Sequence, residues 1–209
     1  MFRKGEFIGD GSEKQVYENL DDPETVIAEI DDSAIRNNRQ LKSAYYLQKI
    51  RHCLFPDNFP DIHVVFRAEK NILVSEKIKT EPGHRAHYLP SWKKTSESSR
   101  LENRYFSDIE KDPRRDELEQ AFKEAGLFVD ITTYNYSHDS KGNIVNLDIE
   151  TGWDYYAEKI AAFFKPEKVR VAIDKIPDEI TKRRASHYLD RLEQLLTEEK
   201  QSSNDTVNK

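Results

Sequence analysis

Phe7-Ile8-Gly9-Asp10-Gly11-Ser12-Glu13-Lys14-Gln15-Val16-Tyr17 decides the reading of this 209-residue chain. Apolar residues at both ends flank two glycines one position apart, so the stretch reads as a strand, a tight turn and a returning strand. Glycines in such a turn let backbone approach a phosphate closely. Working outward, Asp21-Asp22-Pro23-Glu24 marks the next turn, and Thr25-Val26-Ile27-Ala28-Glu29-Ile30 is a third β-prone run. Residues 33–52 read as a helix: Leu41, Ala44 or Tyr45, and Leu47 or Ile50 recur at 3–4 spacing, and Ser33 stands in a capping position. Between Ser33 and Pro56 this helix carries Arg36, Arg39, Lys42, Lys49 and Arg51 and no acid. Residues 62–66 and 71–78 supply two more strands around a polar turn.

The second half reads as mostly helical. Residues 79–100 read as a long surface loop with Pro82, Gly83 and Pro90. Residues 101–111 read as helical, and 116–125 as a helix closed by Gly126. Residues 127–131 and 144–147 are short apolar runs, the latter preceded by the turn Ser140-Lys141-Gly142. Residues 155–164 read as a helix stopped by Pro166. The clearest helix covers 178–199, with Ile180, Tyr188, Leu189, Leu192, Leu195 and Leu196 on its stripe. A polar tail, 200–209, is expected to be disordered. Five strands with one helix after the third, then helices, predict an α+β fold in two lobes, residues 1–79 and 80–199.

Composition narrows the function classes. Hydrophobic residues make up 36% and charged residues 34%, but aromatics reach 11%, which argues against general disorder. No apolar run approaches the roughly 18–20 residues that span a bilayer, and MFRKGEFIGDGS lacks the apolar centre of a secretory signal. Cys53 is the single cysteine, so neither a disulfide framework nor a zinc cluster is expected. A net charge of −6 disfavours nucleic acid as the main partner. These features predict a cytoplasmic protein without membrane or nucleic-acid binding.

Three groups carry chemistry. The first is the Gly9–Lys14 turn. The second is Asp130-Ile-Thr-Thr-Tyr-Asn135, and the third is Asp148, thirteen positions after Asn135. An Asp can orient or deprotonate an attacking hydroxyl, and Asn and Asp oxygens suit Mg²⁺. Each of the three acidic or amide residues has an ordinary use as a turn or capping group, and their joint order after five strands is what gives them weight. His84 and His87 lack a third ligand and read as surface-loop residues. Cys53 reads as a buried small residue, and Trp92 and Trp153 as packing anchors.

In this order the groups resemble the protein-kinase-like superfamily over roughly residues 6–154. The resemblance implies a two-lobed fold with a small five-stranded N-lobe and a reduced helical C-lobe. It implies ATP and Mg²⁺ as cofactors. Ile8, Gly9, Gly11, Lys14, Val16, Ala28, Glu76 and Ile78 would bind nucleotide, with Ser75 before the hinge. Asp130 would be catalytic, and Asn135 and Asp148 would hold the metal. The departures matter equally. H-R-D is Phe128-Val129-Asp130, D-F-G is Asp148-Ile149-Glu150, and Glu29 stands at the third-strand lysine position. Gln40 or Ser43 replaces the helix glutamate. Lys14 is similar in position to the loop lysine of the "with no lysine" kinases and is expected to supply the cation and pair with Glu29. Two functions follow: an atypical phosphotransferase of unknown acceptor, or a pseudokinase that binds a protein partner with weak or no nucleotide binding. The basic helix face and residues 79–100 are the expected partner surfaces.

Overall fold

Near-continuous burial along Thr25–Ile30, where only Val26 is half-buried, fits a strand in the middle of an antiparallel sheet, and everything else is arranged around it. The computed structural model describes residues 2–10, 14–31, 38–67, 71–80, 82–87, 93–127, 129, 132–148 and 164–207. Five strands, β1 (Lys4–Asp10), β2 (Lys14–Asn19), β3 (Thr25–Ile30), β4 (Ile62–Arg67) and β5 (Asn71–Glu76), pair in the order β1-β2-β3-β5-β4. Helix α1 (Asn38–Leu54) joins β3 to β4. The register pairs Lys14 with Ile30, Gln15 with Glu29 and Val16 with Ala28. On one face Ala28, Ile30, Ile62 and Leu73 pack against Leu41 of α1, with Val16 and Tyr45 at the margin. β1 is an edge strand whose pairing slips between Lys4 and Phe7 and again between Phe7 and Gly9.

The helices that follow among the described residues are α2 (Pro82–His87), α3 (Ser96–Glu110), α4 (Pro113–Glu124), α5 (Pro166–Asp174) and α6 (Glu179–Val207). A hairpin, β6 (Tyr136–His138) with β7 (Ile144–Asn146), stands between α4 and α5. The opposite side of α1, through Ala44, Leu47 and Ile50, enters a second core with Phe59, Phe122, Val169, Ala185, Leu189 and Leu192. A third, smaller cluster joins Tyr105, Phe106 and Ile109 of α3 to Tyr136 and Ile144 of the hairpin. Full burial of such a side chain contributes roughly 1.5–3 kcal/mol, so α1 is held from both sides.

The mixed α+β class and the five strands agree with the sequence reading, and several elements differ from it. Residues 79–100 were expected to be a loop, yet α2 and the start of α3 lie there. Thr95 caps α3 through a reciprocal box, its hydroxyl accepting from the Ser98 N–H while the Thr95 N–H donates to the Ser98 hydroxyl. His84 is consequently buried on α2 beside Tyr105 and Phe106, and is not a surface-loop residue. The apolar run at 144–147 supplies β7, whose partner is β6, an element the sequence reading did not contain. Pro166 opens α5 from its first turn, where a missing N–H costs nothing. The backbone of α6 continues to Val207, through most of the expected tail, and Ile180 is exposed while Ala185 is fully buried. Ser33, Trp92, Trp153 and the expected helix over 155–163 fall outside the described residues. No helix of the described residues is long and apolar enough to cross a membrane.

Candidate functional site

A strand register fixes which way each charged side chain looks. Because side chains alternate, Lys14 shares a sheet face with Ile30, Val16 and Ala28, while Glu29 shares the other with Gln15 and Tyr17. The expected Lys14–Glu29 pair is therefore not formed. Glu29 accepts instead from Lys4 Nζ at 2.7 Å, and that ammonium also lies 4.5 Å from the Tyr17 ring centre. The Glu29 side chain is only 9% exposed, and the Lys4 ammonium helps to balance its charge. On the opposite face Lys14 Nζ reaches Asp148 Oδ1 at 3.0 Å, across 134 residues of chain.

Asp148 is held at the end of the hairpin. The Leu147 N–H donates to the Asn135 carbonyl at 2.8 Å, which brings the residue before Asp148 against Asn135. The Asp148 N–H donates to Asn146 Oδ1 at 2.9 Å. Asn146 is buried, and its N–H donates to the Asn58 carbonyl at 2.8 Å. The Asn58 side chain in turn donates to the Ile144 carbonyl. The segment after α1 thus clamps the hairpin and aims Asp148 at the sheet. Asn135 lies in a 3₁₀ turn, Thr133–Asn135, and is half-buried. The Leu147–Asn135 backbone bond brings the Asn135 and Asp148 positions near each other, and their side chains carry hard oxygens of the type a divalent ion takes beside phosphate and water. Among the described residues no group of three His, Cys, Asp or Glu could hold a metal by itself.

The other expected site residues are distributed as follows. Gly9, Val16 and Ala28 lie side by side across β1, β2 and β3. Ala28 is 4% exposed within the sheet core, Val16 is half-buried at its margin, and Ile8 is 38% exposed. Ser75 is buried, and Glu76 and Ile78 follow it where the chain leaves β5. The Glu76 N–H donates to the Asp61 carbonyl at 2.8 Å. Gly11, Asp130 and the residues 149–150 lie outside the described residues. Gln40 and Ser43, at the helix-glutamate position, are both buried.

Sequence reasoning missed the use made of the basic helix. Arg51 is 1% exposed, with its guanidinium 5.6 Å from the Phe59 ring centre. Lys49 pairs with Asp61 at 2.7 Å, and Arg39 approaches Glu198. Lys49 and Arg51 are thus turned inward, while Lys42 and the Arg39 side chain remain exposed and Arg36 lies outside the described residues. A further arrangement ties the hairpin to the α3–α4 corner. Asp112 caps α4, bonds Arg114 and accepts from or pairs with His138 Nε2 at 3.2 Å, and Arg114 donates to the Gly142 carbonyl. Arg114 beside it holds the Asp112 carboxyl far below its ordinary range. A cleft of about 550 Å³ adjoins the Thr133–Asn135 turn, lined among others by Glu102, Phe106, Ser107, Glu110 and Tyr134. Cys53 is half-buried, and burial pushes its thiol up, away from reactivity. No protein-family model matches this chain, and no curated protein matches it.

Proposed function

We propose that the chain is an atypical, kinase-like phosphotransferase that uses ATP and Mg²⁺, with a two-lobed arrangement in which the sheet and the hairpin face each other across the nucleotide. The observation that carries this reading is the Lys14–Asp148 contact. A cation from the glycine turn meets the candidate metal carboxylate, as a site for a metal-bound polyphosphate requires. The strand order, with α1 between β3 and β4, supports the same arrangement. So does the register, which turns Glu29 away from Lys14 and removes an acid that would repel phosphate. In this reading Lys14 neutralises the phosphates, and Asn135 and Asp148 hold Mg²⁺, which would stabilise charge developing on the transferred phosphoryl group. Asp130 orients the acceptor hydroxyl. The Glu76 N–H is already engaged, so an adenine amino group would donate to the Glu76 carbonyl. The cleft beside Thr133–Asn135 is where an acceptor would approach.

One observation favours the pseudokinase reading: Lys14 and Asp148 satisfy each other directly, which also describes a closed site. Calorimetric titration of Mg-ATP separates the two. The phosphotransferase reading expects micromolar binding by the wild type, lost in both Lys14→Ala and Asp148→Ala, and turnover lost in Asp130→Ala. No binding by the wild type would overturn it and leave a protein-binding module.

A further inference from the structure

The ammonium of Lys14 stands 3.0 Å from Asp148 Oδ1, and the two side chains are only 20% and 26% exposed. That is the position, relative to the carboxylate, from which a positive charge is best stabilised. A divalent ion coordinated by the same oxygen would meet the ammonium within a few ångströms. Two like charges at that distance repel strongly in a partly dehydrated cleft. Lys14 and a bare metal ion therefore compete for Asp148. A polyphosphate changes the balance, because its oxygens offer Lys14 a second anionic partner and leave Asp148 to the metal.

We infer that Lys14 acts as a built-in counter-ion for Asp148, so that the site admits a divalent ion together with a phosphate-bearing ligand and discriminates against the free ion. This rests on the reading of Asp148 as a metal ligand given above. Lys14 thereby sets what class of ligand opens the site: a metal-bound polyphosphate rather than a metal or an organic cation. The contact is also local to two side chains. Lys14 begins β2 and Asp148 follows β7, and each is anchored by its own backbone hydrogen bonds, so exchange of partners requires side-chain rotation alone.

The test is Mn²⁺ binding in the absence of nucleotide, read from free Mn²⁺ by electron paramagnetic resonance. The proteins are the wild type, Lys14→Met, Lys14→Arg and the double variant Lys14→Met with Asp148→Asn. Removing one partner of a partly exposed ion pair predicts about a fivefold gain in Mn²⁺ affinity for Lys14→Met. Lys14→Arg, which keeps the charge and reports on folding, should match the wild type. The double variant should lose the gain. Equal affinity of Lys14→Met and the wild type, no Mn²⁺ binding by either, or a gain that survives Asp148→Asn would each overturn the inference. Failure of the wild type to bind Mg-ATP is a separate result and would remove the phosphotransferase reading itself.

Discussion

At the scale of single residues, the clearest constraint is at Gly126. Its φ is +74°, it ends α4 with the Leu127 N–H returning to the Phe122 carbonyl, and a Cβ there would lie 2.7 Å from the Lys165 carbonyl oxygen. Gly142 has φ +82° but open space around it. Gly126→Ala should therefore cost about 2 kcal/mol or more, against about 1 kcal/mol for Gly142→Ala, where only the left-handed backbone is penalised. Urea unfolding of the two variants checks the difference, and equal losses would show that the Lys165 contact is unimportant. Gly126 was legible as a helix terminator from its place after an amphipathic run. The direction of Glu29 was not legible. Whether Gln15 or Lys14 opposes it depends on a one-residue choice of register, which local sequence leaves open.

Among elements, one carboxylate adds a polar tie between the α3–α4 corner and the β6–β7 hairpin, beside the cluster of Tyr105 and Tyr136. Asp112 caps α4, holds Arg114 and meets His138, and Arg114 reaches the hairpin turn at Gly142. The folded-state value of this carboxyl is depressed from 3.8, chiefly by the hydrogen bond from the Arg114 side chain. A depressed acid contributes fully above its unfolded value and loses that contribution as pH falls through the folded one. Unfolding free energy should therefore drop steeply below about pH 4 in the wild type and less steeply in Asp112→Asn. Parallel acid profiles from circular dichroism would contradict this. The helix at 113–124 was visible in the sequence, whereas α2, the start of α3 and α5 were not. Prolines and serines mark loops on average, but Pro82, Thr95 and Pro166 here stand where helices begin, and only the tertiary contacts distinguish the two uses. β6 was missed because three residues with one aromatic carry no periodicity.

For the whole molecule, α1 is a wall with two sides. Leu41 and Tyr45 meet the sheet, and Ala44, Leu47 and Ile50 meet the helices around Leu189. The sequence suggested a division near residue 79, but α1 packs against both the sheet and the later helices and so couples the parts. Leu47→Ala should remove about 2–5 kcal/mol and lower the sheet and helical transitions together, as followed by site-resolved hydrogen exchange; protection lost from the helices alone would mean two independent units. The candidate site was legible as a set of residue types in order. Its key contact was not, because nothing in local sequence says that a lysine at 14 and an aspartate at 148 meet. The edge of the sheet has a consequence of its own. β1 ends the row of strands with Phe7 and Ile8 more than a third exposed, and its two slips in pairing break the even spacing of backbone donors and acceptors. A second molecule offering an extended segment finds no regular ladder there to continue, so the chain carries its apolar rim without inviting fibre growth.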